Sequence, residues 1–188
     1  MSGHSHFASI KHKKAITDAK RSKVFSKLSR EISVAAREGG GDPNFNPKLR
    51  TAIEKAKEFD MPADNIEKAV KRGTGELEGA KLESVTYEAY GPGGIAIIIE
   101  GITDNKNRTL SEIKQILNQN GGKLVGEGGV RWMFQRKPAV HTQEKDGRLE
   151  WVPQYEVELQ DKDKEAAEKL FEALDENDAV QEIYSNLK

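Results

Sequence analysis

The chain has 188 residues, 36% of them hydrophobic, with 30 Lys or Arg against 31 Asp or Glu and no cysteine. Apolar blocks such as Ile95-Ala96-Ile97-Ile98-Ile99 argue for a core and against general disorder; the absence of cysteine excludes a disulfide framework, a thiolate zinc site and a cysteine nucleophile. The near-zero net charge hides a sorting: residues 1–75 hold 16 basic and 9 acidic side chains, the remainder 14 and 22, so a polyanion-seeking half is joined to an acidic one.

Residues 1–16 carry His4, His6, His12 and three lysines with little apolar content, and read as a mobile basic arm. The cations there have no apolar segment behind them, and no run of about 18 apolar residues follows anywhere, so neither a secretory signal nor a membrane span is expected and the location reads as cytoplasmic. Residues 17–38 are helical in period. With Lys20 at zero and about 100° per residue, Val24, Phe25, Leu28, Ile32, Ala35 and Ala36 fall between roughly 40° and 160°. Lys20, Lys23, Lys27, Arg30 and Arg37 fall between roughly 0° and −100°, a second stripe predicted to face a polyanion. Gly39-Gly40-Gly41 stops this helix. Asn46 and Pro47 are an N-cap and first-turn pair for a second helix ending near Phe59. Pro62 opens a third, bearing Ile66, Ala69 and Val70 and closed by Gly73.

Beyond a polar linker at 74–82 the pattern changes to strands. Segments 85–90 and 95–103 flank the turn Gly91-Pro92-Gly93-Gly94. A helix over 107–118 carries Leu110, Ile113, Ile116 and Leu117 on one face, and 130–135 is a strand. Segments 139–142 and 149–152 flank Asp146-Gly147, a hairpin signal. A strand over 155–159, a helix over 164–174 with Ala167, Leu170, Phe171 and Leu174 inward, and a strand over 180–184 complete the chain. From Ile95 the order is β-α-β-β-α-β. The prediction is an α+β protein: a basic three-helix domain over 1–76, then an acidic ferredoxin-like domain over 80–188 decorated by a hairpin at 137–152.

No catalytic constellation emerges. Three of the four histidines lie in the arm, without fixed geometry for a base or a metal, and pairs such as Glu156 and Glu158 share the solvent side of a strand. Gly39-Gly40-Gly41 lacks the Lys-Ser/Thr of a phosphate-binding loop, and Gly91-Pro92-Gly93-Gly94 precedes a strand rather than a helix. No enzyme activity, cofactor or metal is expected. The strong signal is eight Lys or Arg in the first thirty residues against Asp18 alone, too dense for internal pairing. Lys11, His12, Lys13, Lys14, Lys20, Arg21, Lys23, Lys27, Arg30 and Arg37 are the candidate contacts, mainly to phosphates, which give affinity and salt dependence but little sequence reading. No recognition-helix spacing of base-reading side chains accompanies them.

Several blocks then carry a resemblance. Gly3-His4-Ser5, Ile10-Lys11-His12-Lys13-Lys14, Asp18-Ala19-Lys20-Arg21 and the run from Ala35 through Arg37 and Gly41 to Pro43 resemble the YebC/PmpR family. Met61-Pro62, Asn65-Ile66-Glu67, Gly73-Thr74-Gly75-Glu76, Tyr90-Gly91-Pro92-Gly93-Gly94, Thr103-Asp104-Asn105 and Asn107-Arg108-Thr109 extend it. It is close over residues 1–136 and looser over 153–188. The family implies a three-domain, non-enzymatic protein named a probable transcriptional regulator; some bacterial members are ascribed DNA binding. Others, with mitochondrial relatives that activate cytochrome c oxidase translation, act on the ribosome. This chain departs in His6 and Phe7, where Lys-Trp is usual, and in the segment 137–152, a hairpin where typical members insert a further α/β module. The expectation is a nucleic-acid-binding regulator whose partner is DNA, ribosomal RNA or tRNA, with the ribosome as a candidate host. The alternative is a protein-interaction adaptor that binds through its acidic domain and uses the arm as a tether.

Overall fold

The structure is a computed structural model that describes residues 18–138 and 149–188, with side chains from Arg21 onward in the first stretch. The expected arm and the expected Asp146-Gly147 turn lie outside the described residues. The chain divides into two compact units, whose described parts are 18–84 and 85–138 with 149–188.

In the helical unit, α1 (Asp18–Gly39) gives way at Gly40, whose positive φ of 89° suits a residue without Cβ. Asn46 caps α2 (Pro47–Glu58) by accepting from the Leu49 backbone N–H at 3.1 Å. Its amide also donates to the Ala35 and Gly40 carbonyls, both at 2.8 Å, tying the end of α1 to the start of α2. The third helix, α3 (Ala63–Thr74), ends at Gly75 in the left-handed conformation, two residues later than expected. Gly73 serves a different purpose: a Cβ there would sit 2.3 Å from the Ser33 carbonyl oxygen, so α1 and α3 cross in contact at that point. Leu28, Ile32, Ala35 and Ala36 meet Leu49, Ala52 and Ala56 of α2 and Ile66 and Ala69 of α3, with Met61 between. Small residues at the crossings allow the backbones to approach.

The α/β unit is built on a four-stranded sheet in the order β3-β1-β2-β6. Its strands are β1 (Glu83–Tyr90), β2 (Ala96–Thr103), β3 (Lys123–Val125) and β6 (Val180–Ser185). β1 pairs antiparallel with β3, and β2 with β6. Helices α4 (Lys106–Gln119) and α5 (Asp161–Glu176) cover one face. There Ile97 and Ile99 of β2 pack with Ile113, Leu117, Leu170 and Leu174. Ala96 and Ile98 point the other way, onto Val130, Phe134 and Tyr184. β2 is covered on both faces, which is why it reads as an unbroken apolar run rather than an alternating one. β4 (Phe134–Pro138) and β5 (Leu149–Pro153) form a separate antiparallel pair. It is tied to the sheet by Trp151, whose indole N–H donates to Glu100 of β2 at 2.8 Å under the Arg136 guanidinium.

The α+β class and the order of helices before an antiparallel sheet agree with the expectation; the strand assignment does not. β2, α4 and β3 make a split β-α-β unit with β1 lying between β2 and β3, and the expected strand over 155–159 is not formed. The 130–135 segment becomes a short 3-10 turn over 131–133 and the start of β4, away from the sheet. The reason is competition for edges. β1 reaches β2 through the five-residue connection 91–95 at small loop-closure cost, and β6 takes the other edge, leaving no free edge on β2. Val157 makes only an isolated bridge with Leu187.

Candidate nucleic-acid interface

The predicted contacts divide sharply in the structure. Lys11, His12, Lys13 and Lys14 lie outside the described residues, and Lys20 stands in α1 with its side chain undescribed. Arg21 and Arg37 are exposed at the two ends of α1, and Lys23 and Arg30 are half-buried between them. Lys27 departs from the expected outward stripe: it is only 5% exposed. Val34, seven residues on and therefore on the same line of the helix, is buried too. α1 is thus covered along a second line besides the Leu28–Ile32–Ala35–Ala36 stripe. Amphipathic period reports one such face and was silent about the other.

Lys48, Lys55 and Lys71 of the unit are held by carboxylates. Lys48 lies 3.0 Å from Glu38, Lys55 lies 3.0 Å from Glu31, linking α2 to α1, and Lys71 pairs with Glu67 within α3. The Lys71–Glu67 contact lowers the Glu67 carboxyl and raises the Lys71 ammonium through their hydrogen bond and mutual attraction.

Where α1 and α3 end, an open cleft of about 660 Å3 is lined by Ser33, Arg37, Arg72, Gly73, Gly75 and the segment 77–82, including Glu78 and Lys81. The Ser33 hydroxyl donates to the Ala69 carbonyl at 2.7 Å and locks the helix crossing beneath it. Arg72 and Lys81 were not among the predicted contacts. A cation run in sequence points to a single helix, whereas these two are brought to Arg37 only by the crossing. The α/β unit holds a buried carboxylate of another kind. Glu88, 3% exposed, accepts the backbone N–H groups of Gly128, Val130 and Arg131 at 2.9, 2.9 and 3.0 Å. Burial alone would raise its carboxyl, but these three donors and the Arg131 guanidinium outweigh burial and hold it below the ordinary range. It fastens the 126–131 loop to β1.

Among the described residues no group of three or more His, Cys, Asp or Glu is placed to hold a metal, and no helix is long and apolar enough to cross a membrane.

Residues 5–76 match the family description "TACO1/YebC protein N-terminal domain", and 82–148 with 139–187 match "TACO1/YebC second and third domain". The chain belongs to the TACO1/YebC family. A relative from Chloroherpeton thalassium, named "Probable transcriptional regulatory protein", is 42% identical over 239 positions, covering 100% of this chain and 96% of its own length. That alignment is longer than the chain, so the relative carries residues with no counterpart here. A relative of the same printed name from Halothermothrix orenii is 62% identical over 137 residues, 73% of this chain and 54% of its own length. The crystal structure of a conserved hypothetical protein from Aquifex aeolicus superposes with a TM-score of 0.86 at 38% identity, covering 98% of this chain and 97% of its own.

Proposed function

We propose that this chain is a non-enzymatic regulator of gene expression that binds nucleic acid through its helical unit, by contacts to backbone phosphates. The observation that carries the reading is the sorting of charge. Cations outnumber acids 16 to 9 over residues 1–75, while the rest of the chain holds 14 against 22. Arg21, Lys23, Arg30 and Arg37 lie along α1, and Lys11, His12, Lys13, Lys14 and Lys20 precede them in sequence. Lys27, enclosed, supports α1 instead of touching the partner. The printed names of the relatives point to transcription, hence to DNA, as the seat of regulation. In domain terms the helical unit binds, the acidic α/β unit is held off the polymer by its charge, and residues 137–152 stand where longer family members carry a further module.

The test is fluorescence anisotropy of the full chain on labelled duplex DNA and on a ribosomal RNA fragment across a salt series. Affinity for the true target falls with salt at about 0.7–0.9 log units per log unit of salt for each phosphate neutralised. Arg21→Ala, Lys23→Ala and Arg30→Ala together flatten that slope by about 2–3 units. The matched change at the exposed Lys162, Lys164 and Lys169 of α5, equal in net charge, leaves it unaltered. Equal losses from the two triple variants would mean diffuse attraction and no interface on α1.

A further inference from the structure

The cleft between the ends of α1 and α3 is an exposed surface that gathers three cations. Among the described residues Arg37, Arg72 and Lys81 have no carboxylate within ion-pair distance, although Lys71, next to Arg72, is paired with Glu67, and Lys48 and Lys55 are paired as well. Three cations converge on one cavity that contains a single carboxylate, Glu78. The ends of α1 and α3 bring partial negative charge, about half a unit each, so helix ends and Glu78 together offset about two of the three cations and the balance stays positive. The α3 carbonyls at this end are themselves occupied, by the N–H groups of Gly75, Glu76 and Leu77.

The platform is closely packed. Gly73 lies against the Ser33 carbonyl, Ser33 is bonded to Ala69, and a Cβ on Gly41 would fall 2.8 Å from the Thr74 methyl. Arg37 is one turn beyond Ser33 and Arg72 adjoins Gly73, so both arginines are rooted at the crossing itself. The stem of Arg72 runs past Gly79, whose hypothetical Cβ would sit 3.6 Å from Arg72 Cγ. The lining is partly apolar, with the exposed Leu77 and with Ala80 and Leu82.

We propose that this cleft seats one phosphate with its sugar from a nucleic-acid strand, the phosphate gripped by Arg37, Arg72 and Lys81 and the sugar lying on the Leu77 wall. Guanidinium forks match phosphate oxygens in pairs. A volume of about 660 Å3 suits a nucleotide unit rather than a bare ion. The inference rests on the nucleic-acid reading above. It adds that the interface is not confined to the outward line of α1 but turns inward at its C-terminal end.

Backbone amide NMR of the full chain tests it, with inorganic phosphate, a free mononucleotide and a short oligonucleotide as probes, alongside anisotropy of Arg37→Ala/Arg72→Ala and of Arg72→Lys. The expected result is that the oligonucleotide shifts the Gly73, Gly75 and Gly79 amides well below the concentration at which phosphate or mononucleotide does. The double variant then loses tenfold or more in affinity, with a salt slope lower by about one unit. Arg72→Lys, which keeps the charge but not the fork, keeps the slope and loses part of the affinity. Unchanged affinity and slope in the double variant, with loss in the α1 triple variant, would overturn the seat while leaving the α1 interface standing. A double variant that melts lower yet binds normally would overturn it in favour of arginines that merely complement the helix ends. Binding of the mononucleotide as tight as that of the oligonucleotide would overturn the strand as the source of the phosphate. No binding of any nucleic acid by the parent chain would remove both readings.

Discussion

Replacing Glu88 by Gln changes one atom and tests how the 126–131 loop is held. In the parent, one carboxylate oxygen accepts from Gly128 and lies 3.2 Å from Arg131 Nε, while the other accepts from Val130 and Arg131. A glutamine has one accepting oxygen. If it keeps the Val130 and Arg131 donors, its NH2 group faces the Gly128 N–H and the guanidinium, donor against donor. Unmade bonds at a buried site cost about 1–3 kcal/mol each, and the charge that Arg131 faced is gone, so a loss of about 3 kcal/mol is expected. At about 4–8 °C per kcal/mol for a domain of this size, the melt should fall by more than 10 °C. Tryptophan emission reads this unit selectively, because the only two tryptophans, Trp132 and Trp151, both belong to it. The pH dependence supplies a second check. The Glu88 carboxyl is held below its ordinary value of 4.5, so its contribution is fully present above that value and is lost as pH falls through the folded one. The deficit of the variant is therefore full at pH 7 and shrinks once the parent carboxylate begins to protonate in acid. Equal melts at pH 7, or a deficit unchanged between pH 7 and pH 3, would refute this account.

Gly73→Ala places a methyl group 2.3 Å from the Ser33 carbonyl oxygen, and the clash should outweigh the roughly 1 kcal/mol that Ala gains over Gly in a helix. Thermal unfolding followed by far-UV circular dichroism should show a lower transition for Gly73→Ala and no change for Gly79→Ala, where the nearest atom is 3.6 Å away. Asn46→Ala loses the α2 cap and two donated bonds, an expected cost of about 2–3 kcal/mol in urea unfolding. Asn46→Asp should do no better, although Asp is as good a cap: it would turn a buried carboxylate toward the Ala35 and Gly40 carbonyls. A fully rescued Asn46→Asp would show that the two donated bonds contribute nothing.

Local chemistry was legible along the chain. The cap at Asn46, the stop after Gly39 and the apolar stripes of α1, α4 and α5 all follow from short-range spacing, and all appear in the structure. These features depend on residues within a turn or two of one another, so period and composition are sufficient to read them. Three things depended on residues far apart. Which strand lies between β2 and β3 was decided by competition for the edges of β2, and the β1 hairpin closes the shorter loop. Lys27 reads as an outward cation by period and is nevertheless enclosed, because a helix can be covered along two lines while its amphipathic pattern announces one. Arg72 and Lys81 meet Arg37 only because Gly73 lets α3 press against Ser33 of α1, and the absence of a side chain gives no signal of its own in a sequence. Segment identity is a local property of the polymer; which segments become neighbours is settled by packing them all at once.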